Sequence, residues 1–297
     1  YYIMVKKDKK KSDKIIDYSY PEPDDKDVVS KIYSKREFQY HRIPQRKIMD
    51  TYEEVEKYRE QVCKPEYKPR QQQAILSNLL NPETPYKGVL VMHGTGTGKT
   101  CSAISIAEQF KDQVKKYNTR IFVLIPGPNT RENFKSELLF CTGDTYLKNK
   151  EKLQKLSKAE QDRERKIGIY SSLQNYKILS YKTFYKKVLG EKILEKKIDD
   201  DNKIKSTYRR NQEGEIEREL VVDRINNMDN SIIIVDEAHN LTNNEYGEAL
   251  KKIISVSQNL KVILLTATPM KNLADDIVDL LGFLRPAEDQ IKRDKIF

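Results

Sequence analysis

The stretch Val89-Leu-Val-Met-His-Gly-Thr-Gly-Thr-Gly-Lys-Thr100 decides the fold, because an apolar run breaks there into alternating glycines and ends in Lys-Thr. Val89 to Met92 is short, aliphatic and bounded by Gly88 and Gly94, the pattern of a strand covered on both faces. A helix is expected to follow at once. Gly94, Gly96 and Gly98 permit a backbone path that a Cβ would resist, so successive N–H groups can converge on an anion at that helix's N-terminus. In such a cradle, which includes Thr95 and Thr97, Lys99 reaches the β- and γ-phosphates of a nucleotide and Thr100 offers a hydroxyl to Mg²⁺. The pattern G-x-x-x-x-G-K-[ST] is met except at its first position, where His93 stands.

Further on, Ser231-Ile-Ile-Ile-Val-Asp-Glu-Ala-His239 is a second buried strand, whose apolar run ends in two adjacent carboxylates. A strand tip beside the phosphate loop would let Asp236 hold the Mg²⁺ shell and Glu237 orient and deprotonate an attacking water. Lys261 to Leu265 is a third strand and runs into Thr266-Ala-Thr-Pro-Met270, whose small hydroxyl residues can relay movement between two ligands by hydrogen bonding.

Between these motifs the apolar pattern alternates. Cys101, Ala103, Ile104, Ile106, Ala107 and Phe110 mark a helix to about Lys116; Ile121–Ile125 is a strand closed by Pro126-Gly-Pro128; and a helix runs from about Thr130 through Leu138. Ser157 with Glu160 caps a charged helix to about Lys166, and two short strands are expected at Ile167–Tyr170 and Ile178–Tyr181. This rhythm predicts an α/β fold with a mostly parallel central sheet flanked by helices.

The flanking regions read differently. Residues 1–30 show no sustained periodicity and are expected to form an extended arm; Asp50 with Glu53 makes a capping box for a helix at about 51–62, which Pro65 and Pro69 end. Gln71 opens a further helix carrying Ala74, Ile75, Leu79 and Leu80, and its side chain could read an adenine edge or simply be solvated. At 190–222 the rhythm breaks. Lys203–Arg210 and Glu215–Val222 alternate around Asn211-Gln-Glu-Gly214, which predicts an inserted β-hairpin. Its basic arm (Lys203, Lys205, Arg209, Arg210) could grip phosphate, or could pair with Glu213, Glu215, Glu217 and Glu219.

Charged residues make up 34% of the 297 and hydrophobic ones 37%, and the formal net charge is +10, a balance that favours a polyanionic partner. Cys63, Cys101 and Cys141 show neither paired nor metal-ligand spacing, so they are expected to be free structural thiols in a reducing compartment. His41, His93 and His239 have no mutual zinc-ligand spacing. No apolar run approaches the roughly 18 residues that a membrane span needs, and no signal segment opens the chain. A soluble intracellular protein is expected, and the opening Tyr1 and closing Phe297 read as a piece cut from a longer one.

Gly94–Thr100, Asp236-Glu-Ala-His239 and Thr266-Ala-Thr268, in this order, resemble motifs I, II and III of superfamily 2 helicases, over about 67–286. The resemblance implies a RecA-like P-loop domain that hydrolyses ATP with Mg²⁺, using Lys99, Thr100, Asp236 and Glu237, and couples hydrolysis to nucleic acid through His239, Thr266 and Thr268. Lys68-Pro-Arg-Gln71 is similar to the opening of the Swi/Snf-type branch, which implies that Gln71 sits near the adenine. Pro126 with Asn133-Phe134 resembles motif Ia, and Ser180-Tyr-Lys-Thr183 resembles a segment that grips the nucleic-acid backbone; Pro126, Asn129, Thr130, Ser180 and Tyr181 are the implied contacts. Leu265–Asn272 through Phe283-Leu-Arg-Pro286 resembles Swi/Snf-type motors most of all; together with His93–Thr100 and the inserted hairpin it looks like the DNA-dependent ATPases of poxviruses and giant viruses. That likeness implies double-stranded DNA, a viral RNA polymerase or transcription-factor subunit as partner, and a place in the virion and host cytoplasm. Motifs IV to VI, with their arginine finger, are not recognisable. The expected organisation is therefore an arm (1–66), a first lobe (67–286, with insertions at about 144–166 and 190–222) and the start of a linker (287–297) to a second lobe, with weak activity for the lobe alone. An RNA helicase and a nucleotide-switched recruitment module are the alternatives. A water-activating carboxylate at Glu237 argues against the second.

Overall fold

The computed structural model describes residues 2–3, 20–23, 25–43, 48–62, 70–94, 96–143, 145–147, 156–198, 204–210, 216–219, 223–270, 275–285 and 290–291. The strands are β1 (Tyr2–Ile3), β2 (Gly88–Met92), β3 (Ile121–Ile125), β4 (Tyr176–Ser180), β5 (Glu191–Lys192), β6 (Leu194–Ile198), β7 (Ile204–Tyr208), β8 (Arg218–Glu219), β9 (Ile232–Val235) and β10 (Lys261–Thr266). The helices are α1 (Val28–Tyr33), α2 (Arg36–Tyr40), α3 (Tyr52–Val62), α4 (Gln71–Leu79), α5 (Lys99–Glu108), α6 (Lys111–Lys116), α7 (Pro128–Cys141), α8 (Lys158–Ser172), α9 (Tyr181–Leu189), α10 (Glu245–Val256) and α11 (Asp276–Gly282).

The main sheet has the order β1-β2-β10-β9-β3-β4, parallel from β2 to β4, with β1 antiparallel at its edge. Register is set by side chains that alternate between two buried faces. On one face Ile232, Ile234, Ile263 and Leu265 pack with Leu76, Ile104 and Phe134; on the other Ile233, Val235, Leu264 and Leu90 pack with Phe184 and Leu250. All strands from β2 to β10 in this sheet point the same way, so the phosphate loop, Pro126, Ser180, Asp236 and Thr266 leave it at one edge. That edge is where ligands bind in open parallel sheets.

Several expectations are corrected. Ile167–Tyr170 is not a strand but part of the second half of α8, which runs to Ser172. Ser157 and Glu160 cap it as expected, the Ser157 N–H donating to Glu160 Oε2 at 2.9 Å. Within it Gly168 lets α8 lie close to α7, since an added Cβ would stand 3.1 Å from Leu139 Cδ1. The expected helix to Lys116 is two helices, α5 and α6, broken at Gln109–Phe110. The α3 cap is Thr51 with Glu54, not Asp50 with Glu53: the Asp50 N–H donates to Glu54 Oε2 (3.2 Å) and the Glu54 N–H to Thr51 Oγ1 (3.4 Å). Pro65, Pro69 and Cys63 lie outside the described residues, as does most of the arm at 1–19. Residues 28–30 open a helix rather than extend, and Ile32 and Phe38, 4% and 1% exposed, join the core around α4. Asn78 Nδ2 donates to the Glu37 carbonyl at 3.2 Å across that contact.

In the insertion, β7 pairs antiparallel with β6, the segment before it, and not with the segment after it. Among the described residues the second arm meets the first at the Arg210↔Ile216 bridge, the Glu217 N–H to Arg209 carbonyl bond and the Arg209–Glu217 ion pair, and β8 pairs with β5. Alternation marks a strand without naming its partner, so the expected hairpin is met at its base and not along β7. The expected turn (211–214), Lys203 and both ends of the second arm (215 and 220–222) lie outside the described residues. Cys101 and Cys141 are not free thiols: they form a disulfide, Cα–Cα 5.2 Å, that ties the start of α5 to the end of α7. A separation of 40 residues carries no sign of that pairing. Among the described residues no helix is long and apolar enough to cross a membrane.

Two glycines separate close packing from backbone freedom. A Cβ at Gly88 would stand 2.4 Å from the Val262 carbonyl oxygen and 2.8 Å from Leu284 Cδ2, whereas Gly96 (φ +75°) has nothing within 4 Å. Gly88→Ala is expected to destabilise the fold by about 1–3 kcal/mol through overpacking, and Gly96→Ala by about 1 kcal/mol through its positive φ. Urea unfolding of the two variants checks the order; equal losses would mean that the β2–β10 contact yields.

Candidate active site

β10 lies between β2 and β9, so the phosphate loop and the Asp-Glu pair stand on either side of Thr266. In the loop Gly96 and Gly98 both take positive φ (+75° and +85°), and Gly98 is the N-cap of α5. Thr97 Oγ1 donates to the Gly94 carbonyl at 2.7 Å, closing the turn. Thr95 lies outside the described residues. Lys99 and Thr100 form the first turn of α5, and the Lys99 side chain is 11% exposed with Nζ 3.9 Å from Glu237 Oε1. The His93 N–H donates to the Thr266 carbonyl (3.3 Å), and burial above all lowers the basicity of its imidazole, so a neutral ring stands at the loop's first position.

Asp236 is buried (8% exposed) at the tip of β9, and its carboxyl is pushed up to about 6, first by burial and then by the neighbouring Glu237, against a smaller opposing pull from Lys99. Glu237 is left-handed (φ 54°, ψ 49°), so the extended path of β9 ends there and a single 3₁₀ turn, Ala238–Leu241, follows. The pocket thus holds two carboxylates against one ammonium. That deficit of positive charge fits a divalent cation held by Asp236 and the Thr100 hydroxyl.

The three residues expected to couple come together. His239 Nδ1 lies 3.0 Å from Thr266 Oγ1, 3.3 Å from Thr268 Oγ1 and 3.4 Å from Glu237 Oε2, and the Thr268 N–H donates to Thr266 Oγ1 at 3.1 Å. Thr266 is fully buried and Thr268 exposed, so this hydrogen-bonded group runs from the sheet to the surface.

Gln71 is exposed at the first position of α4, and it is Gln73 that meets the loop, donating from Nε2 to the Gly98 carbonyl at 3.5 Å. Gln73 is 2% exposed, and its Oε1 accepts from the Arg70 N–H at 2.9 Å. It was overlooked within a run of three glutamines. The available signal was its helical phase, three residues before Leu76 on the buried stripe. Of the residues expected to contact nucleic acid, Pro126 and Asn129 are exposed and Thr130 half-buried where β3 passes into α7, while Ser180 caps α9, its Oγ accepting from the Thr183 N–H at 3.2 Å. Tyr181 is elsewhere. It is 4% exposed, on the inward face of α9 with Phe184, Tyr185 and Val188, and its hydroxyl donates to the carbonyls of Asp236 and, at 3.2 Å, Glu237. Its side chain is therefore not a surface contact.

Residues 64–271 match the family model described as Type III restriction enzyme, res subunit. A protein of Acanthamoeba polyphaga mimivirus, named for ATP-dependent RNA helicase activity, is 50% identical over 281 residues, 94% of this chain and 24% of that protein. The early transcription factor large subunit homolog of African swine fever virus is 25% identical over 264 residues, covering 73% of this chain and 24% of that one. The helicase domain of Pyrococcus furiosus Hef matches with a TM-score of 0.41 at 19% identity, over 73% of this chain and 36% of that domain. The chain spans about a quarter of the length of these viral relatives. With the phosphate loop, the Asp-Glu-Ala-His turn and the Thr-Ala-Thr relay on one sheet edge, the chain belongs to the Type III restriction enzyme res subunit family and is a helicase-type ATPase domain of superfamily 2.

Proposed function

We propose that this chain is the first lobe of a DNA-tracking ATPase, and that it hydrolyses Mg-ATP between the phosphate loop and Glu237. The observation that carries this reading is Glu237 itself. Its carboxylate stands 3.9 Å from the Lys99 ammonium on one side and 3.4 Å from the His239 ring on the other, between the phosphate-binding cation and the hydroxyl relay. Lys99 would neutralise the β- and γ-phosphates, and Glu237 would orient water in line with the γ-phosphorus and take its proton. A cation held by Thr100 and Asp236 would offset the charge that grows on the phosphate oxygens. His239, Thr266 and Thr268 then carry the change in Glu237 to the exposed edge, beside Pro126 and Asn129, where nucleic acid would lie. An arginine from a second lobe would complete the site. It would be worth on the order of 10³-fold or more in turnover, so this lobe alone is expected to turn over slowly.

Duplex DNA is the proposed polymer, in a transcription setting like that named for the swine fever virus relative. RNA is the second reading, supported by the name that the 50% identical relative carries. ATP turnover measured in parallel with duplex DNA, single-stranded DNA and RNA separates them: strongest stimulation by RNA would overturn the DNA assignment, and none by any polymer would overturn the motor reading.

Lys99→Ala is expected to weaken Mg-ATP binding, whereas Glu237→Gln keeps binding and loses turnover, since one side chain holds phosphate and the other activates water. Titration with a fluorescent ATP analogue, alongside single-turnover hydrolysis, tests the split; equal loss of affinity in both variants sinks it.

Asp236 makes a separate forecast about the unliganded protein. Its folded carboxyl sits at about 6 against an ordinary 3.8, so the folded state holds its proton more tightly than the unfolded state does. The stability it lends is complete below pH 3.8 and is lost as pH rises through about 6. At neutral pH Asp236→Asn is therefore expected to stabilise the apo form, on the order of 1–3 kcal/mol, while abolishing turnover. Melting curves of both forms from pH 5 to 8 should diverge as pH rises; parallel curves would mean that the carboxylate is already compensated.

A further inference from the structure

We propose that Tyr181 is a positioning residue for Glu237: its hydroxyl holds the peptide that sets the catalytic carboxylate's backbone, so that Glu237 is presented to the attacking water without Tyr181 touching nucleotide or nucleic acid. The inference rests on the reading of Glu237 as the water-activating base.

The peptide between Asp236 and Glu237 has its carbonyl on Asp236 and its N–H on Glu237, and rotation of that plane is coupled to the φ of Glu237. Glu237 sits at φ 54°, a conformation that a residue with a Cβ adopts at a cost of roughly 1–2 kcal/mol and keeps only where its surroundings over-determine it. Tyr181 supplies that constraint. Its Oη donates to the Asp236 carbonyl, at the rotating plane, and lies 3.2 Å from the Glu237 carbonyl that follows. The Glu237 carbonyl has other donors, the Asn240 N–H at 3.0 Å and Asn240 Nδ2 at 3.1 Å, so the turn after Glu237 is held from within. The plane before it is held from another element.

The tyrosine is itself fixed. Its ring centroid lies 5.9 Å from that of Tyr246, which lies 5.9 Å from that of Tyr185, and the Tyr185 hydroxyl accepts from Arg218 Nη1 at 2.9 Å. Arg218 belongs to β8 of the insertion and also donates to Glu245 at 3.1 Å, at the start of α10. A hydroxyl on a packed ring has little freedom, which is what positioning within a fraction of an ångström requires.

Tyr181→Phe keeps the ring and deletes only the donor. The expected result is a fall in kcat of about tenfold or more with the Km for ATP and the affinity for Mg-ADP within twofold of the parent, because phosphate binding by Lys99 is untouched. Added to Glu237→Gln, the same change is expected to cost nothing further, since the group it positions has gone; an active Glu237→Gln protein would fail the base assignment on which the proposal rests, whereas an inactive Glu237→Gln protein beside a fully active Tyr181→Phe would fail the tyrosine alone. 4-Aminophenylalanine at position 181 restores a donor at the same place and is expected to recover most of the loss, which a purely structural role would not produce. Should the Phe variant not fold, 4-fluorophenylalanine fills the hydroxyl's volume without donating and takes its place. Unchanged kcat, a loss of Mg-ADP affinity matching the loss of kcat, or no recovery with the aminophenyl side chain would overturn the proposal.

Discussion

Two carboxylates in consecutive positions at the tip of a buried strand are the constraint around which the rest is arranged. Ile232, Ile233, Ile234 and Val235 are all fully buried, so Asp236 leaves the sheet inside a low-dielectric layer and its charge is penalised there. A second charge one residue away deepens the penalty. The chain answers with Lys99, brought in by α5, and with a left-handed Glu237 that ends the extended path at that point. One ammonium leaves the pair under-compensated, and an unliganded site in this state is held against its own electrostatics. Stability has been given up here for function, a common compromise where charge must be stored for a ligand.

What keeps such a site from relaxing is the strand in the middle. β10 separates β2 from β9 and touches both along its length, so the phosphate loop cannot move relative to the Asp-Glu pair without sliding past it. Its tip carries Thr266, and its start carries Lys261, a buried ammonium that donates to the carbonyls of Thr84 (3.0 Å) and Tyr86 (2.6 Å) just before β2. Burial first, and then Lys87, brings that lysine down to about 8. A charge placed so deep is held by carbonyl dipoles alone among the bonds it makes here, and it fixes the height of β2 against β10 as Gly88 fixes their distance.

How much of this could be read beforehand follows the range of the interactions. The phosphate loop, the Asp-Glu strand and the Thr-Ala-Thr tip are local patterns, a few residues each, and their meeting at one sheet edge follows from parallel topology. His239, Thr266 and Thr268 were legible for the same reason. Gln73 was not, because among three glutamines only helical phase distinguishes the buried one. Tyr181 had been given to nucleic acid by the motif it sits in, and its actual partner is 55 residues away on another strand. The Cys101–Cys141 bond spans 40 residues, and the β6–β7 pairing is a choice between two neighbouring segments that alternate alike; nothing in spacing or alternation ranks either. Packing decides them.

The insertion shows the same limit for charge. Its sequence offers a basic arm and an acidic arm, and among the described residues one pair joins them, Arg209 with Glu217. Arg209 Nε meets Glu217 Oε2 at 2.9 Å across the turn, Arg218 reaches Glu245 and Tyr185, and Lys192 reaches Glu245 at 2.5 Å. Arg209 is 53% exposed, so its pair is worth at most about 1 kcal/mol and could be exchanged for a phosphate. The exchange, however, would leave Glu217 beside the same phosphate, and the gain would be largely cancelled. Arg218 and Lys192 are more enclosed and bind the insertion to α9 and α10, directly over the tyrosines that lead to Asp236. The charges of Arg218 and Lys192 therefore anchor the insertion to the helices that pack on the catalytic strand.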